Sequence, residues 1–96
     1  MAVVRTFEAK GWTCDEYDEL MGALVRRLGL PAGRSAPGVL FHWAAQTDDG
    51  MRAVDVYESR EAADRLVIDS IGPIARELGL ALPEISESEV HSYLTS

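Results

Sequence analysis

The sequence predicts an α+β domain whose elements run in the order β-α-β-β-α-β. Three observations carry that prediction. Two amphipathic helical patterns each begin at a hydroxyl N-cap. Between them, two extended apolar runs flank an Asp-Asp-Gly turn. Further extended segments stand before the first helix and after the second.

The first strand is read from Ala2 to Glu8, a stretch rich in β-branched and aromatic residues. Thr13 then caps a helix, with Glu16 as its capping-box partner. Tyr17, Leu20, Met21, Leu24, Val25 and Leu28 recur behind that cap at helical spacing. Arg26 and Arg27 suit the last turn, and Gly29 supplies the stop. Residues 31–38, with two prolines and two glycines, form a loop. Val39 to Ala45 and Met51 to Tyr57 make the central hairpin. Ser59 caps the second helix, with Ala62, Leu66, Val67 and Ile71 on one face. Gly72-Pro73 is expected to interrupt it, and Pro73 to open a continuation from Ile74 to Leu78 that Gly79 ends. Val90 to Thr95 is the expected last strand.

This order is the split βαβ arrangement of ferredoxin-like folds. Right-handed crossovers put both helices on one face of a four-stranded antiparallel sheet. The other face then lies open, lined by Phe41, Trp43, Val54 and Val56, and burial against a second copy is the natural way to cover it.

At 96 residues the chain is one domain, residues 1–96, without length to divide into two cores. Its net charge of −7 argues against nucleic acid and anionic membrane as partners. Cys14 is the single cysteine, so no internal disulfide forms, and a reducing, cytoplasmic home fits. No segment approaches the roughly 20 apolar residues of a membrane-spanning helix.

The hairpin carries the chemistry. A two- or four-residue loop centred on Asp48-Asp49 sets His42 directly opposite Asp55. Moving the turn to Asp49-Gly50 pairs His42 with Tyr57 instead. Both registers leave His42, Asp55 and Tyr57 on one face, whereas a three-residue loop would not. Opposed residues have Cβ atoms about 4.5–5.5 Å apart, which suits a His–Asp hydrogen bond. Two readings fit these residues. A carboxylate that orients an imidazole makes it a general base, and a nearby phenol can donate to an oxyanion. Alternatively, the pair is a polar contact that satisfies itself, with Tyr57 in the core. His91 and Tyr93 alternate on the expected last strand. The histidines and aspartate lack the tight ligand spacing of a metal site.

The segment Val54-Asp55-Val56-Tyr57-Glu58-Ser59-Arg60-Glu61-Ala62 resembles the antibiotic-biosynthesis monooxygenase (ABM) superfamily of dimeric α+β barrels. The likeness extends to Gly11-x-Thr13-x-x-x-Tyr17-Asp18, to Pro37-Gly38 and to Leu78-Gly79-Leu80. It implies a homodimer with sheets packed face to face and a ligand pocket in each subunit between sheet and helices. In the cofactor-independent oxygenases of that group the strand-end aromatic lines the pocket, which maps to Tyr57 and brings Ala53 and Asp55 with it. Their strand amide falls at Ala53 here, and their helix tyrosine at Ala63. Related polyketide cyclases use His and Tyr as acid and base, which His42 and Tyr57 match. Haem-degrading members hold haem through a helical histidine, whereas both histidines here are expected on strands, so no cofactor is expected. The candidate catalytic set is thus His42, Asp55 and Tyr57. Tyr17, Leu40, Ala53, Leu66, His91 and Tyr93 are the candidate substrate-binding residues. The expected activity is acid/base or oxygenase chemistry on a small aromatic or polyketide-like molecule, with ligand binding alone as the alternative.

Overall fold

Alternate residues of the first strand, β1 (Val3–Lys10), are buried: Val3, Arg5, Phe7 and Ala9. That period of two gives the sheet one wall facing the core and one facing away. The computed structural model describes residues 1–92. After β1 come α1 (Cys14–Leu28), β2 (Val39–Thr47), β3 (Gly50–Tyr57), α2 (Arg60–Leu66), a π-helical turn (Val67–Ile71), α3 (Gly72–Glu77) and β4 (Glu84–Glu89). The strands form one antiparallel sheet in the order β2-β3-β1-β4, the ferredoxin-like arrangement. Leu20, Leu24, Leu66 and Ile74 of the helices pack with Val3, Ala9, Met51 and Tyr57 in one core.

Helix α1 starts where its cap dictates. Thr13 Oγ1 accepts from the Glu16 amide at 3.1 Å, and Glu16 returns the bond to the Thr13 amide at 2.9 Å. Leu30 N–H closes the other end on the Val25 carbonyl at 3.1 Å, after Gly29 in the left-handed region. Such caps each stabilise a helix by about 1 kcal/mol.

The second helix departs from expectation. Leu66, Val67, Ile71 and Gly72 all keep right-handed helical angles, so α2, the π-turn and α3 run on without a break. Pro73 has no N–H and its ring crowds the carbonyl four residues back. The π-turn absorbs this: Gly72 N–H reaches the Val67 carbonyl, five residues back.

The last strand also differs. It is Glu84–Glu89, not Val90 to Thr95, of which Tyr93, Leu94 and Thr95 lie outside the described residues. Glu-Ile-Ser-Glu-Ser-Glu has little β-propensity, but an edge strand needs only backbone partners and charges for its exposed side. Here β1 supplies the partners through pairs such as Phe7–Ile85 and Arg5–Glu87. Glu87 is further held by Arg5 Nε at 2.9 Å and Arg60 Nε at 2.8 Å, and these bonds keep its carboxyl below the usual carboxylate range.

The hairpin turns on Asp48-Asp49, with Thr47 opposite Gly50. Both aspartates keep negative φ, so Gly50 is not there for turn geometry. It is there for space: a Cβ at Gly50 would lie 2.2 Å from the Ala9 carbonyl oxygen. On the open face, Phe41 and Trp43 remain 38% and 40% exposed beside Val54 and Val56.

Candidate active site

The Thr47–Gly50 pairing fixes the register, and through it His42 stands directly opposite Asp55. Asp55 is buried, and a buried carboxylate without donors costs several kcal/mol. It has two donors. His42 Nδ1 is hydrogen-bonded to Oδ1, and the Tyr57 hydroxyl donates to Oδ2 at 2.7 Å. A carboxylate only accepts, so the imidazole carries a proton on Nδ1 and, as the neutral ring, presents a lone pair at Nε2. That lone pair meets the Tyr17 hydroxyl at 2.6 Å, with the two rings parallel within 3°. Tyr57, Asp55, His42 and Tyr17 therefore form one chain of hydrogen bonds from the core outwards.

Both phenols keep their protons. Burial raises the Tyr17 hydroxyl to about 12, helped by the charges of Asp55 and Asp18. Burial also lifts Tyr57 far above the ordinary phenol range; the charge of Asp55 and its hydrogen bond add to this, and Arg5 opposes it. Tyr17 reaches His42 because the Thr13 cap sets the phase of α1. Its amide bonds the Thr13 carbonyl at 3.0 Å, in the first turn, on the side that faces the sheet.

His42, Asp55 and Tyr17 open onto a cavity of about 220 Å³ between sheet and α1. Its walls are largely apolar, with Phe7, Leu20, Leu24, Met51 and Ile71 among them. A few convergent polar groups in an apolar cleft are the usual make-up of a small-molecule site.

Of the residues expected from sequence, His42, Asp55, Tyr17, Ala53 and Leu66 line this cavity. Tyr57 does not. It has no exposed surface, and its hydroxyl is committed to Asp55 from behind. Leu40 does not either. A bulge between Val39 and Phe41 makes Leu40 the extra residue; it is 41% exposed, and Val39 lines the cavity in its place. His91 is exposed beyond the end of β4, off the sheet, and Tyr93 lies outside the described residues. The sequence reading missed Arg34 and Ser35, which join the wall from the loop after α1. Turn composition marked that loop, but nothing in its pattern pointed inwards.

No protein-family model matches the chain, and no curated protein does. Solved structures match it over its whole length. One, assigned as an antibiotic biosynthesis monooxygenase of Chloroflexus aurantiacus, is 22% identical with a TM-score of 0.65, covering 99% of this chain and 98% of that one. SnoaB, a cofactor-independent oxygenase of Streptomyces nogalater, is 16% identical with a TM-score of 0.61 over 99% and 96%. A protein of unknown function from Nitrosomonas europaea is 14% identical with a TM-score of 0.62 over 99% and 92%. The fold is that of the antibiotic biosynthesis monooxygenases.

On this ABM fold the polar groups of the cavity come from particular places. Ala53 lines the wall and Ala63 is fully buried, so neither of those positions supplies a functional group. The imidazole and the phenol at the cavity are instead those of His42 on β2 and Tyr17 on α1.

The raised Tyr17 hydroxyl has a direct consequence. From pH 10 to about 12 the unfolded chain loses a proton that folded Tyr17 retains, so stability falls as pH rises through that window. Phenolate absorbance should therefore show a step near pH 12 that is missing in Tyr17→Phe. A Tyr17-dependent step at the ordinary pH of 10 would contradict the buried, charge-flanked placement.

Proposed function

We propose that the protein is a cofactor-independent enzyme that removes an acidic proton from a small aromatic or polyketide-like molecule. His42 is the base. One observation carries the reading: Asp55 holds the Nδ1 proton, which leaves Nε2 as a lone pair at the edge of an apolar cavity. Oxygenation of an activated aromatic and aldol cyclisation both begin with such a proton transfer, and the geometry serves either. The likeness of fold to SnoaB, a cofactor-independent oxygenase, supports the same class.

In this mechanism the substrate enters between α1 and the sheet. It displaces the Tyr17 hydroxyl from Nε2. The substrate C–H bond breaks, its electrons move into the carbonyl or aryl system, and the proton ends on Nε2. Asp55 stabilises the imidazolium that forms, and Tyr57 keeps Asp55 in position. Tyr17, still protonated at neutral pH, donates to the developing oxyanion. This gives Tyr17 the role that the sequence had suggested for Tyr57.

The reading includes a homodimer formed through the open sheet face, where the exposed Phe41 and Trp43 and the half-buried Val54 form an apolar patch. A glutamate at Trp43 would place a charge in that patch without touching the cavity. Sedimentation should show a dimer that Trp43→Glu converts to monomer; a monomeric wild type at micromolar concentration would refute the pairing.

Anthrone, whose methylene C–H is acidic and gives a phenolate-like anion, is a suitable probe. Under nitrogen in deuterated buffer, the protein should accelerate exchange of that methylene, read by proton NMR. His42→Gln should slow the protein-dependent rate by about 10²–10⁴-fold, with Asp55→Asn intermediate. Undiminished exchange in His42→Gln would remove His42 as the base. Anthrone that binds without accelerated exchange would identify a binding protein. In air, conversion to anthraquinone and water, with O2 as oxidant, would separate oxygenation from cyclase chemistry.

A further inference from the structure

A row of ionisable residues crosses the core face of the whole sheet. Register sets His42 on β2 opposite Asp55 on β3, Asp55 opposite Arg5 on β1, and Arg5 opposite Glu87 on β4. Paired residues of adjacent strands point to the same face, about 5 Å apart, so the four stand side by side. The proton-transfer reading uses only the first two. Arg5 is the one charged residue among the buried positions of β1, whose others are Val3, Phe7 and Ala9. Its guanidinium bonds Asp64 and Glu87, which satisfies it. Apolar residues often replace such buried ion pairs without loss of stability, so stability alone does not account for an arginine here.

The partners cancel its charge unevenly. Glu87 is shared with Arg60, and the Asp64 side chain is 48% exposed, where water screens it. The Arg5 side chain is only 11% exposed, so its field is least screened on the side towards the core. That field reaches the site: Arg5 opposes the rise that burial and Asp55 give the Tyr57 hydroxyl, which itself donates to Asp55. A carboxylate beside an imidazole favours its doubly protonated form, and an imidazolium has no lone pair at Nε2. A cation one strand further on acts in the opposite sense and also favours the ionised carboxylate. We propose that Arg5 is a positioning residue for His42: its charge keeps Asp55 an ionised acceptor for Nδ1–H and keeps Nε2 free of a second proton. The other ionisable groups around the pair are Tyr57 on β3, Glu87 on β4, Tyr17 and Asp18 on α1, and Asp64 and Arg60 on α2. Of the two cations, Arg60 is exposed, which leaves Arg5 as the buried one.

The proposal rests on the reading of His42 as the base, but its test needs no substrate, so the two can fail separately. Nitrogen-15 NMR follows the His42 ring signals as pH is varied. Arg5→Met, which keeps much of the side-chain length without the charge, should make His42 bind its second proton about three- to tenfold more tightly than wild type. Arg5→Lys should return that affinity most of the way. Glu87→Gln removes a negative charge from the far end of the row and should weaken the same proton binding by about two- to threefold. Its amide oxygen can still accept from Arg5 Nε, so this variant should fold even where Arg5→Met does not. The opposite signs are the decisive result. A structural Arg5 would act through its contact with Glu87, so both variants would move His42 in one direction or leave it unmoved, and either result overturns the proposal. Anthrone exchange gives a second readout. The rate–pH profile of Arg5→Met should move to higher pH, whereas a rate lowered equally at every pH would mark Arg5 as structural.

Discussion

The site depends on a buried carboxylate and on the register that brings it a partner. Asp55 sits on the core side of a central strand, where an unpaired charge would be expensive. The hairpin pairing supplies an imidazole across the ladder, and Tyr57, two residues along the same strand, supplies a phenol. With both oxygens occupied by donors, the aspartate fixes the imidazole's proton on one nitrogen and so frees the other. A slip of one residue would turn the histidine to the opposite face and leave the carboxylate with Tyr57 alone. Strand register thus determines which imidazole nitrogen faces Asp55 and which faces the cavity.

The rest of the architecture holds that arrangement from three sides. From below, Arg5 is paired with Asp55 in the ladder and ties β1 to α2 through Asp64 at 2.5 Å and to β4 through Glu87 at 2.9 Å. From above, the capping box sets the start of α1 and so the side on which Tyr17 falls. At the hairpin end, Gly50 lets the turn close against the end of β1, where its amide neighbour Gly11 bonds the Asp49 carbonyl at 2.7 Å. The π-turn keeps the helix through Pro73 continuous, so Leu66 just before the turn and Ile71 at its last position reach the same cavity.

Much of this was legible in the sequence, and for physical reasons. Side-chain alternation has a period of two, so the His42–Asp55–Tyr57 face survived two choices of turn, and the turn that forms is the one centred on Asp48-Asp49. Both ends of α1 were readable because a capping box and a C-terminal glycine are local signals. Other features depend on contacts that no local pattern encodes. The bulge at Leu40 changes parity partway along β2, which exchanges Leu40 for Val39 on the wall. Strand β4 is polar and is held by pairing with β1 and by arginines from distant segments. Tyr57 shares the face of Asp55 but is turned towards it, so shared face did not mean shared cavity. Arg34 sits in a loop whose composition marks a turn but not its direction.

The central claim is that Asp55 locks His42 as the Nδ1–H tautomer with a basic Nε2. Nitrogen-15 NMR of the imidazole side chains reads this directly near neutral pH. The account predicts that His42 shows a pyrrole-like Nδ1 and a pyridine-like Nε2 in wild type, and that this single form is lost in Asp55→Asn. A His42 that carries its proton mainly on Nε2, or whose two nitrogens are unchanged by Asp55→Asn, would contradict it.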